Sequence, residues 1–241
     1  MPKTILLVDD DRDIVELLRL FLEKGDYKII EAYNGTEAWR AIEGQQVDLA
    51  VIDLMMPELD GIQLLKLLRT EHKMPVIILS AKNQDSDKIL GLQLGADDFI
   101  AKPFNPLEVV ARIEAMLRRT YEFNEASTPA GEEMQQAERT VIGRLELDPE
   151  ECALYKDGCE IALTAIEFKL IQTLMKSPGR VFTKKQLFEQ VWSDPYYEDA
   201  NTVMVHISRL REKIEENARQ PVYIRTIRGL GYKFARGNEL E

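Results

Sequence analysis

Five times in the first half of the chain a short apolar run gives way to residues with helical spacing, and this alternation constrains the fold more than any other feature. The runs are Ile5–Val8, Tyr27–Ala32, Val47–Asp53, Val76–Leu79 and Phe99–Ala101. Helical patterns follow them: Ile14, Leu17, Leu18, Phe21 and Leu22 after the first, then a helix from Thr36, one through Leu64–Leu68, one over Lys88–Leu94 and one from Pro106. Apolar runs bounded by polar residues read as strands buried on both faces. Alternating with helices, they predict a parallel sheet covered on both sides, because right-handed crossovers place the helices there.

The carboxyl ends of these strands carry polar groups. The first ends in Asp9-Asp10-Asp11, the third in Asp53, the fourth in Ser80 and the fifth in Lys102. A single Asp at a strand end also fits a helix cap, so Asp53 gains weight only from this company. In the flavodoxin-like order 2-1-3-4-5 the first and third strands are neighbours, and Asp9 and Asp10 then face Asp53 across the switch point. Three carboxylates in one crevice call for a cation, and hard oxygen ligands open to water suit Mg²⁺. Beside such an ion Asp53 is a nucleophile toward phosphorus, Ser80 offers a hydroxyl, and Lys102 offers a cation to a phosphoryl oxygen. A glycine-rich turn after the first strand is missing, which argues against a dinucleotide site.

With 241 residues and 45% hydrophobic content the chain can form one large domain or two smaller ones. No apolar stretch is long enough to span a bilayer, and Met1-Pro2-Lys3-Thr4 leads directly into a strand, so a cytoplasmic protein with no membrane partner is expected. Cys152 and Cys159 lack metal-ligand spacing. The formal charge of -11 is unevenly spread. Residues 1–119 hold 15 basic and 21 acidic residues, residues 120–140 hold 1 and 5, yet residues 201–236 hold 8 basic against 3 acidic. That basic end is a candidate nucleic-acid surface.

Residues 120–140 read as a flexible linker with Ser127-Thr128-Pro129-Ala130-Gly131 at its centre. Beyond it come short strands at Leu145–Leu147, Ala153–Tyr155 and Ile161–Leu163, with Asp157-Gly158 as a turn. Thr164 and Glu167 have capping-box spacing at the start of a helix. A second helix follows Thr183 and a third runs from Asn201 to about Glu216. On the third, Val203, Ile207, Leu210 and Ile214 face a core, while Thr202, His206, Ser208, Arg209, Arg211 and Lys213 are available to solvent or phosphate. The chain closes on a hairpin from Tyr223 to Phe234 with a Gly-rich tip, bearing Arg225 and Arg228. A helix joined to a basic hairpin can span a major groove and the adjacent minor groove.

Residues 1–119 resemble the receiver domain of two-component response regulators. The resemblance rests on Val8-Asp9-Asp10-Asp11, Asp53-Leu54-Met55-Met56-Pro57 with Asp60-Gly61, Leu79-Ser80-Ala81 and Gly95–Phe104. It implies that Asp53 accepts a phosphoryl group from a histidine kinase, that Asp10, Asp53 and the Met55 carbonyl bind Mg²⁺, and that Asp9 holds it through water. Ser80 and Lys102 would sense the phosphoryl group, Lys102-Pro103 would be cis, and Phe99 would be the switch aromatic, where Tyr is more frequent. It further implies a homodimer on phosphorylation, with Lys88–Glu108, Asp98–Arg112 and Asp97–Arg119 as intersubunit ion pairs. A haloacid dehalogenase-type phosphatase would need a second Asp where Met55 stands.

Residues 141–237 resemble the winged-helix output domain of OmpR/PhoB-type regulators, through Leu163-Thr164, Glu167-Phe168, Val205-His206-Ile207, Arg209–Lys213 and Thr226–Tyr232. This implies base contacts from Asn201, Met204, Val205 and Arg209, phosphate contacts from Thr202, His206, Arg211 and Thr226, and a minor-groove Arg228. Met204 has no donor and would give apolar contact or packing. The expected whole is an α/β flavodoxin-like receiver, 1–119, linked to an α+β winged-helix domain. Such a protein is a phosphorylation-activated transcription regulator, not an enzyme, with promoter DNA and RNA polymerase as partners. A receiver that serves only as an interaction module is the rival, and the complete acidic set disfavours it.

Overall fold

The computed structural model describes residues 2–80, 91–118, 120, 139–192 and 200–240. The chain divides into two compact units, Met1–Glu122 and Phe123–Glu241. Most of the expected linker and residues 81–90, which include Lys88, lie outside the described residues, as does Arg119.

In the first unit β1 (Lys3–Val8), β2 (Tyr27–Ala32), β3 (Leu49–Asp53), β4 (Val76–Ser80) and β5 (Asp98–Ala101) form a parallel sheet ordered β2-β1-β3-β4-β5. β3 and β4 are buried along their whole length. This is why they read as unbroken apolar runs rather than as alternating ones. Helices α1 (Arg12–Leu22), α2 (Gly35–Gly44), α3 (Gly61–Glu71) and α4 (Pro106–Leu117) cover it, α1 packing on α4 and α2 on α3. Their starts are capped by Asp11, Asn34, Asp60 and Asn105, each accepting a backbone N–H of the first turn. Such a cap satisfies an otherwise orphaned donor and contributes about 1 kcal/mol.

In the second unit an antiparallel sheet of β6 (Thr140–Ile142), β7 (Leu145–Asp148), β8 (Ala153–Lys156) and β9 (Cys159–Ile161) precedes α5 (Ala165–Met175). β6 was not expected, and the strand predicted at Ile161–Leu163 ends at Ile161. Leu163 is instead buried immediately before the Thr164 cap. The capping box of Thr164 and Glu167 is present. Then come β10 (Val181–Phe182), α6 (Lys184–Trp192), α7 (Ala200–Ile214), β11 (Ile224–Ile227) and β12 (Gly231–Phe234). The terminal hairpin is therefore part of a three-stranded sheet, β10-β12-β11. Gly231 permits it: a Cβ there would overlap the Phe182 carbonyl, and its φ of +149° is open chiefly to glycine. The core lies around Leu170, Leu174, Trp192, Val203, Leu210 and Phe234, all fully buried.

Candidate functional site

The strand register brings the polar strand ends together. Val8 pairs with Ile52, Asp53 with Leu79, and Ser80 with Ala101, so Asp9, Asp53, Ser80 and Lys102 emerge side by side at the carboxyl edge. Lys102 Nζ donates to Asp9 Oδ2 at 2.6 Å and lies 3.4 Å from Asp53 Oδ2. Asp11 N donates to Asp9 Oδ1 at 3.0 Å. The second oxygen of Asp53, Oδ1, is buried without a hydrogen-bond partner. Oxygens of Asp9, Asp10 and Asp53 all lie within 4.8 Å of one another, and Asp10 alone of the three is exposed.

Electrostatics sharpen this picture. Burial pushes the Asp9 carboxyl above its ordinary value against the pull of Lys102, and burial does the same to Asp53, with Asp9 adding to the upward push. One ammonium is thus set against three carboxylates. The donor set fits a hard divalent cation: oxygen ligands only, one of them orphaned, with an open side toward water. That side is a cleft lined by Asp10, Leu54, Met55, Met56 and Ser80.

The alternative of Asp53 as a helix cap is answered by Asp60, whose Oδ1 accepts from Gln63 N at 2.7 Å and caps α3. Gly61, the first residue of α3, abuts the strand end so closely that a Cβ would overlap the Asp53 carbonyl. Phe99 is buried, and the Lys102-Pro103 bond is cis.

The expected intersubunit charges are placed differently. Arg112 pairs with Asp98 at 2.9 Å and Glu108 at 3.0 Å within its own chain. Asp97 is fully buried and accepts from Arg69 Nη2 at 2.8 Å and Val76 N at 3.0 Å. Asp97, expected to meet Arg119 of a second subunit, is thus part of an internal clamp within its own chain, while Arg119 lies outside the described residues. Arg69 from α3 completes that clamp by donating to the Gly95 and Met74 carbonyls.

In the second unit the polar face expected of α7 is split. Met204, Ser208 and Glu212 are exposed and Asn201 is half-buried, but Thr202, Val205, His206 and Arg209 are buried. The expectation that Thr202, His206 and Arg209 face solvent is thus overturned. His206 packs against Trp192 with ring centroids 5.2 Å apart. Arg209 Nη2 lies 2.9 Å from Glu167 Oε1, and Lys213 Nζ lies 2.7 Å from Glu167 Oε2. Breaking one partner out of a buried pair costs about 3–5 kcal/mol, whereas a good bidentate base contact gives roughly 1–3 kcal/mol. In the free chain Arg209 is held by Glu167.

Arg211 donates to the Ile224 carbonyl at 2.6 Å and to Thr226 Oγ1 at 2.9 Å, tying α7 to the hairpin. Buried Glu215 reinforces the tie by accepting from Val222 N, Tyr223 N and Ile224 N at 2.9, 3.0 and 2.9 Å. Arg228 and Leu230 are exposed at the hairpin tip. Lys184, which sequence reasoning passed over, places Nζ 2.9 Å from Met204 Sδ at the start of α6. The Thr183–Gln186 spacing was the available signal, since each accepts the other's backbone N–H there.

Comparison with known proteins matches both units. Residues 5–114 match the response regulator receiver domain family, and residues 158–234 match the family described as transcriptional regulatory protein, C terminal. "Response regulator GtcR" of Aneurinibacillus migulanus is 58% identical over 100% of this chain and 98% of its own length. The "Alkaline phosphatase synthesis transcriptional regulatory protein PhoP" of Bacillus subtilis is 45% identical over 97% of both chains. A solved RitR mutant structure superposes with a TM-score of 0.75 at 28% identity, covering 98% of this chain and 100% of that one. With both families matched in chain order and relatives aligned end to end, the chain belongs to the OmpR/PhoB-type response regulators, transcription regulators of two-component systems.

Proposed function

We propose that Asp53 is the phosphoacceptor and that its phosphorylation by a cognate sensor histidine kinase in the cytoplasm controls promoter binding by residues 141–237, across a linker over 120–140, from a receiver spanning 1–119. The observation that carries this reading is the orphaned Asp53 Oδ1, held beside Asp9, Asp10 and Lys102 at the carboxyl edge of the sheet. Oδ1 attacks the phosphorus of a phosphohistidine. The O–P bond forms as the P–N bond breaks, and the departing imidazole keeps the electron pair and is protonated by solvent. Mg²⁺, held by Asp10, Asp53 and the Met55 carbonyl with Asp9 behind water, would offset the charge of the incoming group.

Lys102, already 3.4 Å from Asp53, turns to a phosphoryl oxygen, and Ser80 donates its hydroxyl to another. Buried Phe99 stands on the strand that joins this event to the Asp98–Arg112 pair. The phosphorylated receiver then dimerises, with Asp98–Arg112 exchanged for the same pair between subunits and Lys88 of one subunit meeting Glu108 of the other. In the DNA-binding unit α7 enters the major groove, Arg211 and Thr226 hold phosphates, Arg228 enters the minor groove, and RNA polymerase is the downstream partner. No separate substrate is turned over.

The test is incorporation of label from acetyl phosphate with Mg²⁺ into the full chain and its Asp53→Asn variant. Wild type should be labelled and the variant should not; equal labelling of both removes Asp53 from this role.

A further inference from the structure

Resting on the reading of this chain as a DNA-binding regulator, we propose that the base-reading stripe of α7 is Asn201, Met204 and Ser208, with Arg209 a positioning residue, and that the preferred half-site is rich in A·T pairs. Three observations converge on it. Asn201, Met204 and Ser208 fall at i, i+3 and i+7, one face over two helical turns, and Met204 and Ser208 are exposed. None of the three Lys and Arg side chains of α7 joins that stripe: Arg209 and Lys213 meet Glu167, and Arg211 turns to the Ile224 carbonyl and Thr226, on the side where it is proposed to meet phosphate. The roll of the helix is therefore fixed, and the stripe it presents holds no guanidinium.

The chemistry of that stripe selects its ligand. An amide such as Asn201 can bind adenine bidentately through N6 and N7. Met204 offers no donor and its sulfur already accepts from Lys184, which leaves its carbon atoms for the base edge, where the apolar group to meet is the thymine methyl. Ser208 can donate to N7 of either purine and can accept only from adenine N6. Glu212, exposed one turn further on, repels phosphate and limits contact to the first two turns. Lys184 beside the Met204 sulfur supplies a backbone cation next to the stripe.

The experiment selects bound sequences from random duplex DNA with the full chain after treatment with acetyl phosphate and Mg²⁺. Wild type, Met204→Ala, Ser208→Ala and Arg209→Lys are compared, followed by uracil-for-thymine replacement in the selected site. Met204 and Ser208 are exposed, so their substitutions spare the core, and Arg209→Lys retains the charge beside Glu167. Wild type should select a thymine whose replacement by uracil weakens binding about fivefold. Met204→Ala should lose both that preference and the uracil effect, Ser208→Ala should relax a neighbouring pair, and Arg209→Lys should keep the wild-type profile. A profile unchanged in Met204→Ala and Ser208→Ala but relaxed at one pair in Arg209→Lys overturns the assignment. Failure of the wild type to select any sequence overturns the DNA-binding reading itself.

Discussion

Two buried charge clusters, one in each unit, combine the same chemical groups in opposite proportion. At the ends of β1 and β3, Asp9 and Asp53 share the ammonium of Lys102, with Asp10 close by. Between α5 and α7, the single carboxylate of Glu167 is shared by Arg209 and Lys213. Burial raises the carboxyls of the first cluster faster than one cation can lower them. In the second, burial also pushes Glu167 up, but two cations and the bonds from Lys213 and Thr164 hold it below its ordinary value of 4.5. A cluster left short of positive charge has room for a cation, which the proposed Mg²⁺ would supply. A cluster with cations in excess is closed, and serves to hold one helix against another.

The largest effect expected from this contrast is at Glu167. Glu167→Gln leaves Arg209 buried opposite a neutral amide and should cost about 3 kcal/mol, the lower end for breaking a buried pair because Lys213 can turn to water. Urea unfolding followed by Trp192 fluorescence in a Trp39→Phe background measures it. Because the folded pKa of Glu167 lies below the unfolded one, its stabilisation is complete above pH 4.5 and is lost as pH falls through the folded value. The gap between wild type and variant should therefore be full at pH 7 and close progressively below about pH 4.5. Identical midpoints at pH 7 would mean that the cluster contributes no more than a surface pair.

The receiver cluster should respond to a cation where the other does not. Saturating Mg²⁺ should raise the receiver's thermal midpoint, by the equivalent of about 2.7 kcal/mol at a hundredfold excess over Kd. Asp53→Asn should lose most of this response. Without Mg²⁺ the same variant should be more stable than wild type, by roughly 4 °C in Tm for each kcal/mol of repulsion relieved. A variant that melts lower than wild type in metal-free buffer would contradict the assigned charge imbalance.

The difference between the clusters also explains what could be read in the sequence. Asp9, Asp53, Ser80 and Lys102 each end an apolar strand, so one periodicity and one topological rule were enough to assemble them. Glu167 was legible as a cap through its three-residue spacing from Thr164, but its cations come from a helix far along the chain. Arg209 stands one residue, or 100°, from both exposed Ser208 and buried Leu210, so helical spacing alone leaves its side undecided. Asp97 and Asp98 are adjacent acids with different fates, because only Asp97 meets Arg69 from α3. β6 and β10, of 3 and 2 residues, are too short to show an alternation.

The smallest effect tests a pair that lies between the two extremes. Asp98 and Arg112 have side chains 6% and 21% exposed and pair within the chain, with the more exposed Glu108 as a second partner for the guanidinium. If phosphorylation exchanges this internal pair for an intersubunit one, the gain is a difference between two similar contacts. It should stay under about 1 kcal/mol per pair and set register more than affinity. Single charge reversals disturb the internal and intersubunit pairs alike, so mixing is more informative. Chains carrying Arg112→Glu repel within themselves, as do chains carrying Asp98→Arg. In a mixed dimer, however, each reversed charge meets its opposite across the interface, and only there. Sedimentation of the two phosphorylated variants should therefore show weakened self-association for each alone and a several-fold excess of mixed dimer when combined. A statistical mixture, with the two variants associating no better together than apart, would confine Asp98–Arg112 to its own chain and leave dimer register to other contacts.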